Sequence, residues 1–170
     1  MKITLKLVLA IAAISLCSTI SAQNVKLAHI NMEELIVTMP EYDSAMVKMQ
    51  KFVQTLETEL ELMNVERNKK IEEYSKNHAN WTDLVRSSRG DEIQNMNQRI
   101  QMFQEQAQED MQQEQNKLMQ PIFEKANKAI ETVAKEQGII GVFSAQALHY
   151  KDASMINLLP SVKKHLGITK

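Results

Sequence analysis

An apolar repeat of seven residues constrains this chain more than any other feature. From Tyr42 onward the apolar positions fall on two alternating rows: Tyr42, Met49, Leu56 and Met63, and Met46, Val53 and Leu60, then Arg67 and Tyr74. Steps of four and three alternate, which places these side chains on one narrow stripe of a helix. The stripe decays after Met63. Arg67, Lys70 and Asn77 take positions where a tight coiled coil places Leu or Ile, so the distal half contacts its partner loosely. Composition points the same way. Four Gly, one Trp, three Tyr and four Phe in 170 residues are few for an enzyme of this length. The centre is rich in Gln, Glu, Lys and Met, as long helices are.

Residues 75–91 break the repeat with Asn77, Asn80, Ser87, Ser88 and Gly90. They read as the tip of a helical hairpin, with Thr82 capping a short turn. A second long helix is expected from about Asp91 to Gln137, with Ile93, Met96, Ile100, Phe103, Ala107, Met111, Leu118, Ile122, Ala126, Ala129 and Val133 on its apolar side. Its period slips between Asp110 and Glu114, as in a stutter. Pro121 removes one helical hydrogen bond and predicts a kink near Gln120. Helices of roughly 35 to 47 residues reach about 50 to 70 Å at ~1.5 Å per residue.

The chain ends read differently. Val25 to Ile30 is a short strand. Asn31 and Glu34 form a capping box for a brief helix, Met32 to Val37. Thr38 and Glu41 form a second box, with Pro40 in the first turn of the long helix, where its missing N–H costs nothing. Gly138 is placed to end the second long helix. Ile139 to Phe143 reads as a buried-type strand, and Ala145 to Tyr150 as another after a tight connection. Asn157 caps a final helix, Leu158 to Leu166, closed by Gly167. The fold class is α+β dominated by helix: a long antiparallel hairpin over residues 41–137 on a small sheet body built from residues 23–40 and 138–170. Three short strands expose edges and bury little area alone. The body is therefore expected to pair with copies of itself, through Val25, Leu27, Ile30, Ile139, Ile140, Val142, Phe143 and Leu148.

Residues 1–22 read as a cleavable leader. Lys2 and Lys6 precede an apolar run, Leu7 to Leu16, too short to span a bilayer. Small residues follow, and the cut is expected after Ala22. Cys17, the one cysteine, raises a lipoprotein alternative, against which Leu16 is too bulky a predecessor. No second apolar run is long enough for stable membrane insertion. Removing Lys2 and Lys6 from 20 Lys+Arg leaves 18 against 21 Asp+Glu, a net −3 with mixed signs. That is not the basic footprint of a nucleic-acid binder. His29, His78, His149 and His165 share no metal-ligand spacing. No nucleophile elbow, P-loop or dinucleotide fingerprint occurs. Neither catalysis nor a cofactor is expected. His29 and His149 both fall on expected strands, where a structural role outweighs a pH-sensitive contact.

Two stretches carry a family resemblance. VKLAHINMEELIVTMPEY at residues 25–42 resembles the N-terminal signature of the Skp/OmpH family: short strand, "xIN" turn, small helix, Pro-led long helix. AIETVAKEQGIIGVF at residues 129–143 resembles its second signature, a helix end running into a buried strand. Asn157 to Ile168 is similar to its closing helix and "LGI" tail. The resemblance implies a periplasmic holdase chaperone. Three subunits would join through the strands, and three hairpins would project and enclose an unfolded outer-membrane β-barrel protein without nucleotide or metal. One departure is charge. Well-known members are basic, so steering of acidic clients here falls to local clusters such as Arg67, Lys69 and Lys70, or Arg86 and Arg89.

A holdase must bind many sequences weakly, and flexible, polarizable methionine suits that task. Met46 and Met49 read as ordinary seam residues. The residues singled out for client contact are Met63, Tyr74, Trp81, Met96, Met102 and Phe103. Trp81 has an alternative role packing the turn. The ten Gln between Gln94 and Gln120 read mainly as a solvated helix face. The alternative to a chaperone is a periplasmic coiled-coil spacer or adaptor that binds one folded partner.

Overall fold

The structure is a computed structural model and describes residues 25–168. The expected leader, with Cys17 and the cut after Ala22, lies outside the described residues. Strand β1 is Lys26–Ile30. Asn31 ends it and caps helix α1, Met32–Val37, by accepting the Glu34 N–H on Oδ1 at 3.2 Å. Helix α2, Pro40–Asn77, follows within three residues. Its first turn holds Pro40 as expected, but its N-cap is Met39 and not Thr38. The Thr38 hydroxyl instead donates back to the Leu35 carbonyl at 2.8 Å, closing α1. Burial of Met39 in the core fixes that choice.

The tip is tighter than the sequence suggests. A single 3₁₀ turn, His78–Asn80, follows α2, and Thr82 then caps helix α3, Asp83–Glu136. Its Oγ1 accepts the Val85 N–H at 3.4 Å. Helix α3 thus starts eight residues before Asp91 and holds 54 residues. Ser87, Ser88 and Gly90 stay helical although Gly costs about 1 kcal/mol against Ala. Ion pairs one turn apart, Arg86–Asp83 and Arg89–Glu92, offset part of that cost. The helix also continues through Pro121. At ~1.5 Å per residue α3 reaches about 80 Å and α2 about 57 Å.

Helix α3 ends at Gly138, whose φ of +66° is the left-handed conformation that favours glycine. Strand β2, Ile139–Ser144, then returns beside β1 and parallel to it. A parallel pair needs a long crossover, and the helical hairpin is that crossover. The third strand is not Ala145 to Tyr150. Ala145–Ala147 form a 3₁₀ turn, held by Ser144 Oγ donating to Gln146 Oε1 at 2.8 Å and Gln146 Nε2 donating to Asn31 Oδ1 at 2.9 Å. Ala and Gln have little strand preference to resist this. Strand β3 is Ile156–Asn157, parallel to β1 on its other side, giving the order β2-β1-β3. His149 is therefore on no strand. Asn157 Oδ1 accepts the Leu159 N–H at 3.1 Å at the start of helix α4, Leu159–His165.

The core lies where the sheet, α1, α4 and the last turns of α3 meet. Ala28 and Ile30 of β1, Leu35 and Ile36 of α1, Met39, Leu158, Leu159 and Val162 enclose Ile122, Ala126, Ala129, Ile130, Val133 and Ala134 of α3. Alanines at 126, 129 and 134 let the helix axis approach closely. Each large apolar side chain buried here contributes about 1.5 to 3 kcal/mol. The end of α3 is thus part of the body, and the hairpin is rooted in it.

Candidate functional site: the hairpin seam and the open sheet edge

Tight seams bury their residues, and this one does so only in places. On α2 Ala45 alone is buried, close to the body. On α3 Met96 and Ile100 are buried in the distal half, and burial resumes at Ile122. Between them the half-buried positions are Phe103, Ala107, Asp110, Met111, Glu114, Leu118 and, beside it, Met119. The spacing there turns from alternating threes and fours to successive fours, so the stutter expected near Asp110 to Glu114 is present. It brings two carboxylates onto the seam. Opposite lie Val53, Leu56 and Leu60, and a groove of about 420 Å³ opens between the helices, lined also by Phe103, Ala107 and Met111.

The hairpin closes at both ends around this loose middle. Near the tip Lys70 Nζ pairs with Glu92 Oε2 across the helices at 3.3 Å, and Arg89 Nη1 reaches the same oxygen at 3.0 Å. Donation from Arg89 and from Lys70 holds the Glu92 carboxyl below its ordinary range. At the root Lys125 pairs with Glu41 and lowers that carboxyl likewise. The Tyr74 ring stacks on His78 at 5.8 Å and meets Trp81 edge-on at 5.6 Å. Arg86 Nη2 donates to the Trp81 carbonyl at 3.3 Å. Tyr74 and Trp81 are half-buried and build the turn.

The residues singled out for client contact therefore differ in what they offer. Met102 is 67% exposed on the outer face of α3. Met63 and Phe103 are half-buried along the seam. Met96 is packed inside the hairpin at 4% exposure, so its side chain is occupied by α2. The sequence reading missed Leu62 and Val65, each 58% exposed on α2, and Leu84, 82% exposed at the tip. For Leu62 and Val65 the signal was present: both fall off the seven-residue rows, where an apolar residue has no helix to pack against, whereas Leu84 lies in the stretch where the repeat breaks.

The sheet sorts its candidates in the same way. Ile30 and Ile139 are core residues, and Val142 and Leu148 are half-buried. Val25, Leu27, Ile140 and Phe143 are exposed, Ile140 by 73%. Ile140 has no partner in the register, since Lys26 pairs with Ile139 and Leu27 with Gly141. It is the extra residue of a β-bulge. Strand β2 pairs only with β1 among the described residues, so its outer edge presents free backbone N–H and C=O groups beside exposed apolar side chains.

His29 is the one buried polar residue of the sheet. Its Nε2 lies 3.2 Å from Lys151 Nζ, and its Nδ1 has no partner among the described residues. Burial, then the Lys151 charge, lowers its pKa below the ordinary imidazole value. Among the described residues no three His, Cys, Asp or Glu side chains gather as a metal site, and no helix is long and apolar enough to cross a membrane.

Comparison with known proteins places this arrangement. A search among curated proteins gives no match. The crystal structure of a candidate outer membrane chaperone (OmpH-like) from Caulobacter crescentus CB15 is similar, with a TM-score of 0.74 over 84% of this chain and 83% of that one, at 10% sequence identity. That likeness is one of fold. The family model described as outer membrane protein (OmpH-like) matches residues 26–166, from the first strand to the last helix. Its span takes in the hairpin and the whole sheet, and the chain belongs to the OmpH-like family.

Proposed function

We propose that this chain is an ATP-independent periplasmic holdase that shields unfolded outer-membrane β-barrel proteins, working as a homotrimer after loss of its leader. The observation that carries the reading is the hairpin's loosened middle. A spacer rod needs a seam packed along its length, whereas this one gives up buried apolar positions between Ile100 and Ile122 and opens a groove there. Exposed Met102, Leu62 and Val65 add isolated apolar contacts in a polar field of Gln, Glu and Lys. Single contacts of this kind hold a floppy chain weakly and release it without fuel. Family membership and the description of the Caulobacter relative as a candidate outer membrane chaperone support the same reading.

The test is direct. A urea-unfolded outer-membrane β-barrel protein is diluted into buffer with a stoichiometric amount of trimer, and turbidity is followed with and without ATP. Suppressed aggregation that ATP does not change is the expected outcome. Unchanged turbidity at that ratio would mark the chain as a spacer or adaptor.

A further inference from the structure

At the root of the hairpin, where α2 leaves the body, lies a second groove of about 590 Å³. Its floor is apolar: Ala45, Leu118, Pro121 and Ile122, with Pro40 at one end. Its rim carries Lys48, Lys117 and Lys125 against a single carboxylate, Glu41. Lys125 already closes that carboxylate. Lys117 pairs at 2.9 Å with Glu114, which is not in the lining. Lys48 makes no ion pair among the described residues. The groove is therefore apolar in most of its lining, and Lys48 is the cation there left without an ion pair among the described residues. It lies apart from the loose mid-hairpin groove, which begins at Val53 on α2.

We infer that this groove takes the C-terminal residue of a client chain, with a large apolar side chain on the floor and the terminal carboxylate at Lys48. The chemistry narrows the occupant. A free cation beside an apolar floor fits an anion joined directly to an apolar body, and the volume lies within the range of small-molecule pockets. Within a polypeptide, Asp and Glu carry a carboxylate but little apolar body, and Leu or Phe the reverse. One residue joins the two: an apolar residue at the chain's C-terminus. Charge-assisted bonds from ammonium to carboxylate are about twice as strong as neutral ones, so the free carboxylate dominates recognition.

This inference rests on the holdase reading, and the experiment separates their failures. A fluorescein-labelled hexapeptide ending in Phe is titrated with the full chain by anisotropy, once with a free C-terminal carboxylate and once as the amide. The free acid is expected to bind at least tenfold more tightly, and Lys48→Ala, an exposed change, to remove most of that difference. Equal affinity for acid and amide, or no binding of either, overturns the inference on the unaltered protein. Binding of decanoate with none of the peptide overturns it too, and makes the groove a site for free amphiphiles. Either result leaves the turbidity assay free to support the holdase. Conversely, carboxylate-specific peptide binding beside unchanged turbidity leaves the groove and removes the holdase.

Discussion

His29 is where burial and chemistry conflict most sharply in single residues. A neutral imidazole accepts from Lys151 on Nε2 and then keeps its proton on Nδ1, an atom without a partner among the described residues. Protonating the ring would put a second cation against Lys151 in a buried place. Both effects lower the folded-state pKa, burial first. The sign of the pH dependence follows. His29 contributes stability that is fully present above its unfolded value, about 6.5. That stability is lost as pH falls below it, through the depressed folded value. Urea unfolding between pH 7.5 and 5.5 should show a midpoint that drops with acidity. In His29→Gln, which keeps an acceptor for Lys151 and does not titrate, the midpoint should stay level. The carboxylates held down by lysine or arginine, Glu41 and Glu92 among them, titrate below this window and do not blur it. A slope unchanged by the substitution would remove His29 from the account.

At the scale of elements, the stutter in α3 decides how firmly the hairpin closes. Asp110 and Glu114 occupy seam positions that Leu could fill, and Asp110 is tied outward by Gln106 Nε2 at 2.9 Å. Changing both to Leu should raise thermal stability, since a buried Leu is worth about 1.5 to 3 kcal/mol and the polar side chains gain little there. If the loose middle is the client-holding surface, the same change should weaken suppression of aggregation. Melting temperature and turbidity should therefore move in opposite senses. A more stable protein with undiminished holding would place the working surface elsewhere. The stutter was legible because helical period is written in the sequence residue by residue. So were Asn31 as a cap, Pro40 in a first turn and Gly138 after a last one, because each acts within one turn of chain. The tip was misjudged because Ser87, Ser88 and Gly90 weaken a helix only slightly, ion pairs within α3 offset part of that, and packing on α2 with the Lys70–Glu92 pair supplies the rest. The third strand was misplaced because Ile156–Asn157 is strand only by virtue of the free side of β1. No local pattern announces a two-residue strand. Exposed Leu62 and Val65 were legible as departures from the repeat, but were passed over for methionines.

For the whole molecule the question is what covers the outer edge of β2. One copy leaves free backbone groups there, the bulged Ile140 73% exposed and Phe143 46% exposed, next to Leu27 of β1 and Val25 just before that strand. An edge of that kind invites another strand, and natural sheets usually blunt it with charge or cover it. No Lys, Arg, Asp or Glu lies within β2 to blunt it. In the proposed trimer neighbouring bodies cover the edge, and the hairpins, rooted by α3 in each core, stand clear of the joint. Sedimentation velocity should then show an elongated trimer. Replacing Ile140 and Phe143 together by Lys should yield monomer with its circular dichroism intact, because neither side chain belongs to the core of one copy. Removing two large apolar side chains from each joint costs several kcal/mol, and every 1.4 kcal/mol is about a tenfold change in affinity. Separate hairpins no longer bound a common space, so aggregation suppression should fall with the trimer. A Lys variant that still sediments as a trimer would move the joint to another surface, and a trimer-free variant with full holding activity would show that one hairpin pair suffices.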